Sequence, residues 1–429
     1  MRIFVFAGIL STLIITTTAS LADDLAGSWK GMWTKDGEAL PVMMTFAKAG
    51  DAYSGAFDSD ALQVAGIPLG DVSDTNGRVH FQIRGDQSTT AFDGNIKNDV
   101  LSGRFVDDND GGTFELRRAA HPAAKIPQRE VTFRNKDVTL AGTLLLPTTP
   151  GKHPAIVFLH GSGPEGRWAN HYLAQKFAER GIVALIYDKR GVGQSTGDWQ
   201  KATFEALADD AVAGVRFLQS QSVVDATRVG IYGHSQGGTI APLVGARDGE
   251  LRFVVASAAG GIDPAEVETF SVENSIGSAQ LPPGERADAQ GYVRALIDVA
   301  YRGKDRASLD AMAAKFKSRD WYFAPPPLGD SYWLISKQMA AFRPAEYWRQ
   351  IKAPVLLVYG AHDERVPPRE SAEAIRAALE SGGNRNVTLK MYRGADHTFL
   401  IVDPPHNGGW PRHELDYADA LASWILAQR

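Results

Sequence analysis

The 429-residue chain has no cysteine. That excludes a disulfide, a thiolate nucleophile and a Cys-ligated zinc site, and it leaves the redox compartment unmarked. Charge of either sign is not concentrated: the formal net charge is -5 and no Lys/Arg-rich run occurs, so nothing offers a nucleic acid an electrostatic footprint. The apolar run that opens the chain ends near Ile15, too short to cross a bilayer comfortably. A dinucleotide fingerprint is also missing, because Gly191-Val192-Gly193 lacks the third glycine.

What is present is ordinary for a globular protein with room for more than one domain: 44% hydrophobic and 22% charged residues. Arg2, the apolar run and the small residues Ser20 and Ala22 at the -3 and -1 positions resemble a secretory signal peptide over residues 1–22. Cleavage is expected before Asp23, with export to the periplasm or beyond the cell and no membrane attachment afterwards. Residues 23–118 then show short period-two segments: 27–33, 42–48, 52–57, 79–83, 90–96, 101–106 and 113–116. Asp36-Gly37, Asn76-Gly77, Lys97-Asn98-Asp99 and Asn109-Asp110-Gly111-Gly112 supply hairpin turns between them. The spacing predicts a small antiparallel barrel or sandwich as an accessory domain. Gly27-Ser28-Trp29 is similar to the Gly-x-Trp that opens lipocalin-like barrels, although no ligand follows from three residues.

Residues 119–128, with Pro122 and Pro127, read as a linker. From 129 to 429 the pattern is α/β. An antiparallel pair over 130–134 and 138–146 precedes strands at 154–159, 182–187, 228–232, 253–257, 355–359 and 388–392, with helices at 172–179, 204–219, 237–247, 370–379 and 415–427. Alternation stops between 264 and 352. That stretch contains helices at 286–301 and 309–317 and the aromatics Trp321, Tyr322, Phe323, Tyr332, Trp333, Tyr347 and Trp348. An insertion there lies above the sheet edge where such folds bind ligands, so it is expected to form a helical cap.

Gly233-His234-Ser235-Gln236-Gly237 follows a strand and precedes a helix, the setting of a nucleophile elbow. Gly193-Gln194-Ser195-Thr196-Gly197 fits the same template but lies in polar surroundings and reads as a loop. A serine hydroxyl needs a base, and the base needs an acid to hold it. Asp363 follows the strand at 355–359 and His397 follows the strand at 388–392, so both reach the edge that carries Ser235. Glu364 and Asp396 compete for the acid's place, and His160, His234 and His362 also sit at strand ends, where packing or hydrogen bonding is the simpler role.

With His160-Gly161-Ser162-Gly163-Pro164, the run Asp188 to Ser195, the elbow and the Asp363 and His397 loops, residues 129–429 resemble the α/β-hydrolase superfamily. Within it they are most similar to capped bacterial carboxylesterases and serine-aminopeptidase-like hydrolases. The resemblance implies Ser235 as nucleophile, His397 as base and Asp363 as acid. It places the oxyanion donors at the amides of Gln236 and Ser162, with Gly161 as the alternative to Ser162. It further implies hydrolysis of small-molecule esters through an acyl-enzyme, without metal or organic cofactor, and the aromatic-rich insertion suggests short or medium acyl or aryl groups. An aminopeptidase-like activity is the alternative, with Glu266, Glu268 or Glu273 anchoring an amino terminus, and a non-catalytic ligand-binding protein is the other. Oligomeric state leaves no mark on the sequence.

Overall fold

The computed structural model describes residues 24–428 except 85–88, 108–109, 121–125, 280 and 406–408. The expected leader at 1–22 lies outside the described residues, as do positions 121–125 of the expected linker.

The first sheet has nine strands: β1 (Gly27–Lys35), β2 (Glu38–Ala49), β3 (Ala52–Ser59), β4 (Val64–Pro68), β5 (Gly70–Thr75), β6 (Arg78–Arg84), β7 (Thr89–Lys97), β8 (Val100–Asp107) and β9 (Asp110–Ala119). Their order is β4-β3-β2-β1-β9-β8-β7-β6-β5, all antiparallel where paired. The two edge strands β4 and β5 are joined through the single residue Leu69, so the sheet curls back on itself. It is therefore a nearly closed barrel and not two packed sheets. Turn chemistry sets the registers. Asp36 and Gly37, at φ 52° and 80°, and Asn76 and Gly77, at φ 52° and 79°, take the left-handed conformations of two-residue hairpins.

Strands β4 and β5 are absent from the sequence reading, because Gly66, Asp71, Ser73 and Asp74 dilute their apolar alternation. Ladder partners on the neighbouring strands hold them extended regardless. Trp29, Met44, Phe81, Phe92, Leu101 and Leu116 fill the interior. The Trp29 indole N–H donates to the Leu25 carbonyl at 2.8 Å, and the Arg118 guanidinium lies 4.4 Å over its ring, sealing one end.

The second sheet has eight strands: β10 (Gln128–Asn135), β11 (Val138–Leu145), β12 (His153–Leu159), β13 (Val183–Tyr187), β14 (Val224–His234), β15 (Val254–Ser257), β16 (Val355–Gly360) and β17 (Val387–Tyr392). Its order is β10-β11-β13-β12-β14-β15-β16-β17, antiparallel across β10, β11 and β13 and parallel from there on. Helices α1 (His171–Glu179), α2 (Phe204–Gln219) and α3 (Gln236–Arg247) come first; α4 (Pro264–Ser278), α5 (Pro283–Arg302), α6 (Ala307–Phe316), α7 (Ser331–Ala341) and α8 (Pro344–Trp348) form the insertion; α9 (Pro368–Ser381) and α10 (Tyr417–Ala427) close the chain. Helices α2, α3 and α9 cover one face of the sheet, and α1 and α10 cover the other. Every residue of β12 is buried as a result, which is why 154–159 reads as an unbroken apolar run. This is the expected α/β-hydrolase arrangement with a helical insertion.

In the insertion α5 and α6 coincide with predicted helices, whereas α4, α7 and α8 do not. Their apolar residues are too scattered to give a clear helical period, and local caps start two of them. The carboxylates of Asp263 and Asp330 each accept a backbone N–H at 2.8 Å, from Ala265 and Tyr332 respectively.

Between the sheet and α2, Arg190 makes a two-pronged contact with Asp210 at 2.7 and 2.6 Å, and Asn135 donates to the same carboxylate at 2.8 Å. Asp210 is only 1% exposed. Asp210→Ala is expected to strand the guanidinium and cost roughly 3–5 kcal/mol, read from urea unfolding midpoints. A loss of about 1 kcal/mol or less, as for an exposed pair, contradicts this placement.

Candidate active site

The turn at Ser235 is shaped by crowding. A Cβ added to Gly233 would lie 2.2 Å from the Gly237 carbonyl oxygen, and one added to Gly237 would lie 2.8 Å from the carbonyl oxygens of both Leu159 and His160. Only glycine fits on either side. Between them Ser235 takes φ 54° and ψ -118°, an unusual conformation for a residue with a side chain. Its N–H is held by the Ser257 carbonyl of β15 at 2.9 Å, and α3 begins at the next residue.

Strands β14, β16 and β17 bring three side chains together at their C-terminal ends. His397 Nε2 is 3.1 Å from Ser235 Oγ, and His397 Nδ1 is 2.8 Å from Asp363 Oδ2. Both His397 and Asp363 are 3% exposed. An ionised carboxylate only accepts, so Nδ1 carries the proton and Nε2 is left to accept the serine hydroxyl. The other Asp363 oxygen accepts the backbone N–H groups of Arg365 and Val366, each at 2.8 Å, which fixes the carboxylate plane.

The competing residues have other partners. Asp396 caps its own turn by accepting the amides of Thr398 and Leu400 at 2.8 and 2.9 Å, and Glu364 is exposed. His160 Nε2 lies 2.6 Å from the Tyr187 carbonyl, and burial pushes its pKa down to about 4. His234 packs 5.0 Å from the His397 ring beside Ser257, and burial, with the neighbouring charges of His397 and Arg365, pushes it down to about 3. Both are neutral spacers near pH 7. His362 is exposed, 3.4 Å from Asp403. Ser195 is a buried staple: its hydroxyl donates to the Asp188 carbonyl at 2.7 Å and accepts the Ala141 N–H at 3.0 Å.

The turn after β12 supplies a second set of amides. The Gly161 N–H donates to Glu165 at 2.7 Å and is therefore engaged. The Ser162 N–H donates to nothing among the described residues, and Ser162 lines the same cavity as Ser235 and Gln236. Gln236 opens α3, where the first amides have no helical acceptor.

Sequence reasoning missed Lys189. Its ammonium donates to the carbonyls of Gly161 at 2.9 Å and Gly163 at 3.0 Å, on either side of Ser162, and to the Gln236 side chain at 3.3 Å. One buried cation thus ties both amide-bearing segments together. The sequence signal was the run Asp188-Lys189-Arg190, whose outer members are pinned by Arg167 and Asp210. Burial, opposed by nearby Glu165, pushes Lys189 down to about 8.

Beside Ser235 lies a cavity of about 280 Å³. The insertion covers it with Ile335, Met339 and Val267, and Phe204 and Val366 complete an aliphatic-rich wall in which Glu268 and Arg365 are the charged members. The insertion's seven aromatics noted in the sequence do not line it. Trp321, Tyr322, Tyr332 and Trp333 pack round Tyr292 and Phe316 in the insertion's own core, and Tyr347 and Trp348 join the main core. Of the three glutamates considered as anchors, Glu268 lines the cavity, Glu273 pairs with Arg294 and Glu266 is exposed. Among the described residues no cluster of three or more His, Asp or Glu side chains could hold a metal ion.

The sequence signature of the family described as "Serine aminopeptidase, S33" matches residues 151–404. The chain is 24% identical to an uncharacterized 31.7 kDa protein from the traX-finO intergenic region of Escherichia coli, over 62% of this chain and 90% of that one. It is 23% identical to Esterase EstD of Thermotoga maritima, over 63% of this chain and 61% of that protein. Among solved structures it is similar to Est1E of Butyrivibrio proteoclasticus with bound ferulic acid, at 18% identity, 70% and 99% coverage of the two chains and a TM-score of 0.45.

Lys189 gives the site a measurable pH signature. Between its folded value of about 8 and the ordinary 10.5, the unfolded chain holds a proton that the folded chain has released, so stability rises with pH across that window. Lys189→Met lacks this titration. The native chain is therefore expected to gain on the variant by about 1 kcal/mol per pH unit within it, by urea unfolding. A difference that stays constant with pH contradicts the placement of the ammonium.

Proposed function

The chain belongs to the serine aminopeptidase S33 family of hydrolases, and from that premise we propose that it cleaves carboxylic esters through an acyl-enzyme on Ser235. The observation that carries this reading is the unbroken hydrogen-bonded series Ser235–His397–Asp363 beside a cavity. As Ser235 Oγ attacks the acyl carbon, His397 Nε2 takes its proton, and Asp363 stabilises the imidazolium without being protonated. The carbonyl oxygen becomes negative, and the amides of Gln236 and Ser162 are the donors aimed at it. Collapse expels the alcohol, which receives the proton from His397. Water then attacks the acyl-enzyme with His397 again as base, freeing the acid and Ser235.

The aliphatic lining supports short or medium acyl chains. None of the insertion's seven noted aromatics lines the cavity, so they give an aryl substrate no support. The esterase name of the Thermotoga maritima relative supports an ester in place of a peptide bond. One observation favours the aminopeptidase alternative, namely Glu268 in the cavity wall. Burial raises its pKa, which weakens it as an anchor for an ammonium group.

Ser235→Ala is expected to lower kcat on short-chain nitrophenyl esters by a factor on the order of 10⁴ or more while the fold persists. Hydrolysis that survives this change removes the mechanism. Aminoacyl nitroanilides assayed in parallel are expected to turn over more slowly than the esters; dominant anilide turnover reverses the substrate assignment.

On the reading of residues 1–22 as a leader, the enzyme works outside the cytoplasm. Mass spectrometry of the exported protein is expected to find Asp23 at the N-terminus, and retention of Met1 overturns that.

A further inference from the structure

We propose that the N-terminal barrel serves catalysis by bracing the loop that carries His397, with Trp410 as the positioning residue that joins them. The inference rests on His397 being the base of the proposed reaction. It gives residues 24–119 a task that involves no ligand of their own.

The contact is built like a core. Trp33 is buried inside the barrel, with its ring 5.1 Å from Phe57 and 4.8 Å from Phe92. The Trp410 ring enters from the other domain and lies 6.1 Å from Trp33 and 5.9 Å from Phe105, extending the same aromatic cluster. Its indole N–H donates to the Glu38 carbonyl in β2 at 3.0 Å. The preceding residue must be small, because a Cβ on Gly409 would lie 2.5 Å from the Lys35 carbonyl oxygen at the end of β1. A second tie comes from Gln63, between β3 and β4, whose side-chain amide donates to the Glu414 carbonyl at 3.2 Å. The barrel thus grips both ends of the segment 410–414.

That segment is the outer rung of the His397 turn. The Arg412 carbonyl accepts the Ile401 N–H at 2.7 Å, His413 bridges to Leu400, and the Glu414 N–H donates to the Phe399 carbonyl at 3.1 Å. Ile401 in turn bridges to Ala395, and the Asp396 N–H donates to the Leu400 carbonyl at 2.9 Å. His397 lies inside this small antiparallel ladder. A shift at Trp410 passes through three adjacent rungs to the imidazole, and a displacement of about 1 Å in a catalytic group costs about a hundredfold in rate.

The test uses the full chain. In Trp410→Ala, kcat on a nitrophenyl ester and the rate of Ser235 phosphonylation by a fluorophosphonate are expected to fall about ten- to a hundredfold, with KM held within about twofold. Hydrogen exchange at amides 394–401 should speed up. Trp410→Phe, which keeps a ring in the cluster, is expected to stay near the native values. Unchanged kcat, or a raised KM with kcat intact, overturns the proposal, the second outcome making the barrel a substrate-binding element. If Trp410→Ala does not fold, Gln63→Ala gives the same exchange readout, and no acceleration over 394–401 overturns the brace. Lack of phosphonylation of the native chain would count against the serine mechanism alone, because the exchange measurement reads the brace without any turnover.

Discussion

The architecture depends on the crowding of backbone against backbone at Ser235. Strand β14 must turn into α3 within one residue, and the Gly233 and Gly237 main chains meet so closely that no side chain fits between them. The resulting left-handed serine costs on the order of 1–3 kcal/mol. Pairing of β14 with β12 and β15, both wholly buried, holds that strain in place. In return the Ser235 hydroxyl and the first amides of α3 come from one feature, which in the proposed reaction supplies both nucleophile and oxyanion donor.

Around this corner, charge and shape fix what the backbone alone leaves loose. Lys189 ties the Gly161–Gly163 turn to Gln236, and the ion pairs Arg167–Asp188 and Arg190–Asp210 keep the loop bearing Lys189 from moving. Asp363 is locked by two amides before it meets His397. These are buried polar groups with partners, the condition under which they rigidify a site and do not weaken it. The insertion contributes an aliphatic roof, and Trp321, Tyr322, Tyr332 and Trp333 stabilise the roof's own core.

The residues Ser235, Asp363 and His397 were legible in the sequence because each follows a strand whose apolar run is distinct, and parallel strands deliver their ends to one edge. The Asp36-Gly37 and Asn76-Gly77 turns were legible because left-handed residues there are chemically specific. Strands β4 and β5 were not, since their extended form comes from neighbours and not from their own polar residues. Lys189 and Trp410 escaped for a related reason: their roles are contacts across long separations, to Gly161 and Gln236 in one case and to Trp33 and Glu38 in the other. Local pattern carries no signal for those. Lipocalin-like Gly27-Ser28-Trp29 correctly indicated a barrel, but the tryptophan is engaged by Leu25 and Arg118 at the barrel's own end.

The proposed reaction turns on a covalent intermediate on one serine. Acid quenching during turnover of an activated, slowly deacylating ester, followed by intact-mass measurement and peptide mapping, tests it most directly. One acyl increment is expected, confined to the peptide containing Ser235 and absent when His397 is replaced by alanine. An increment on Ser195, or turnover with no acylated serine at all, contradicts it.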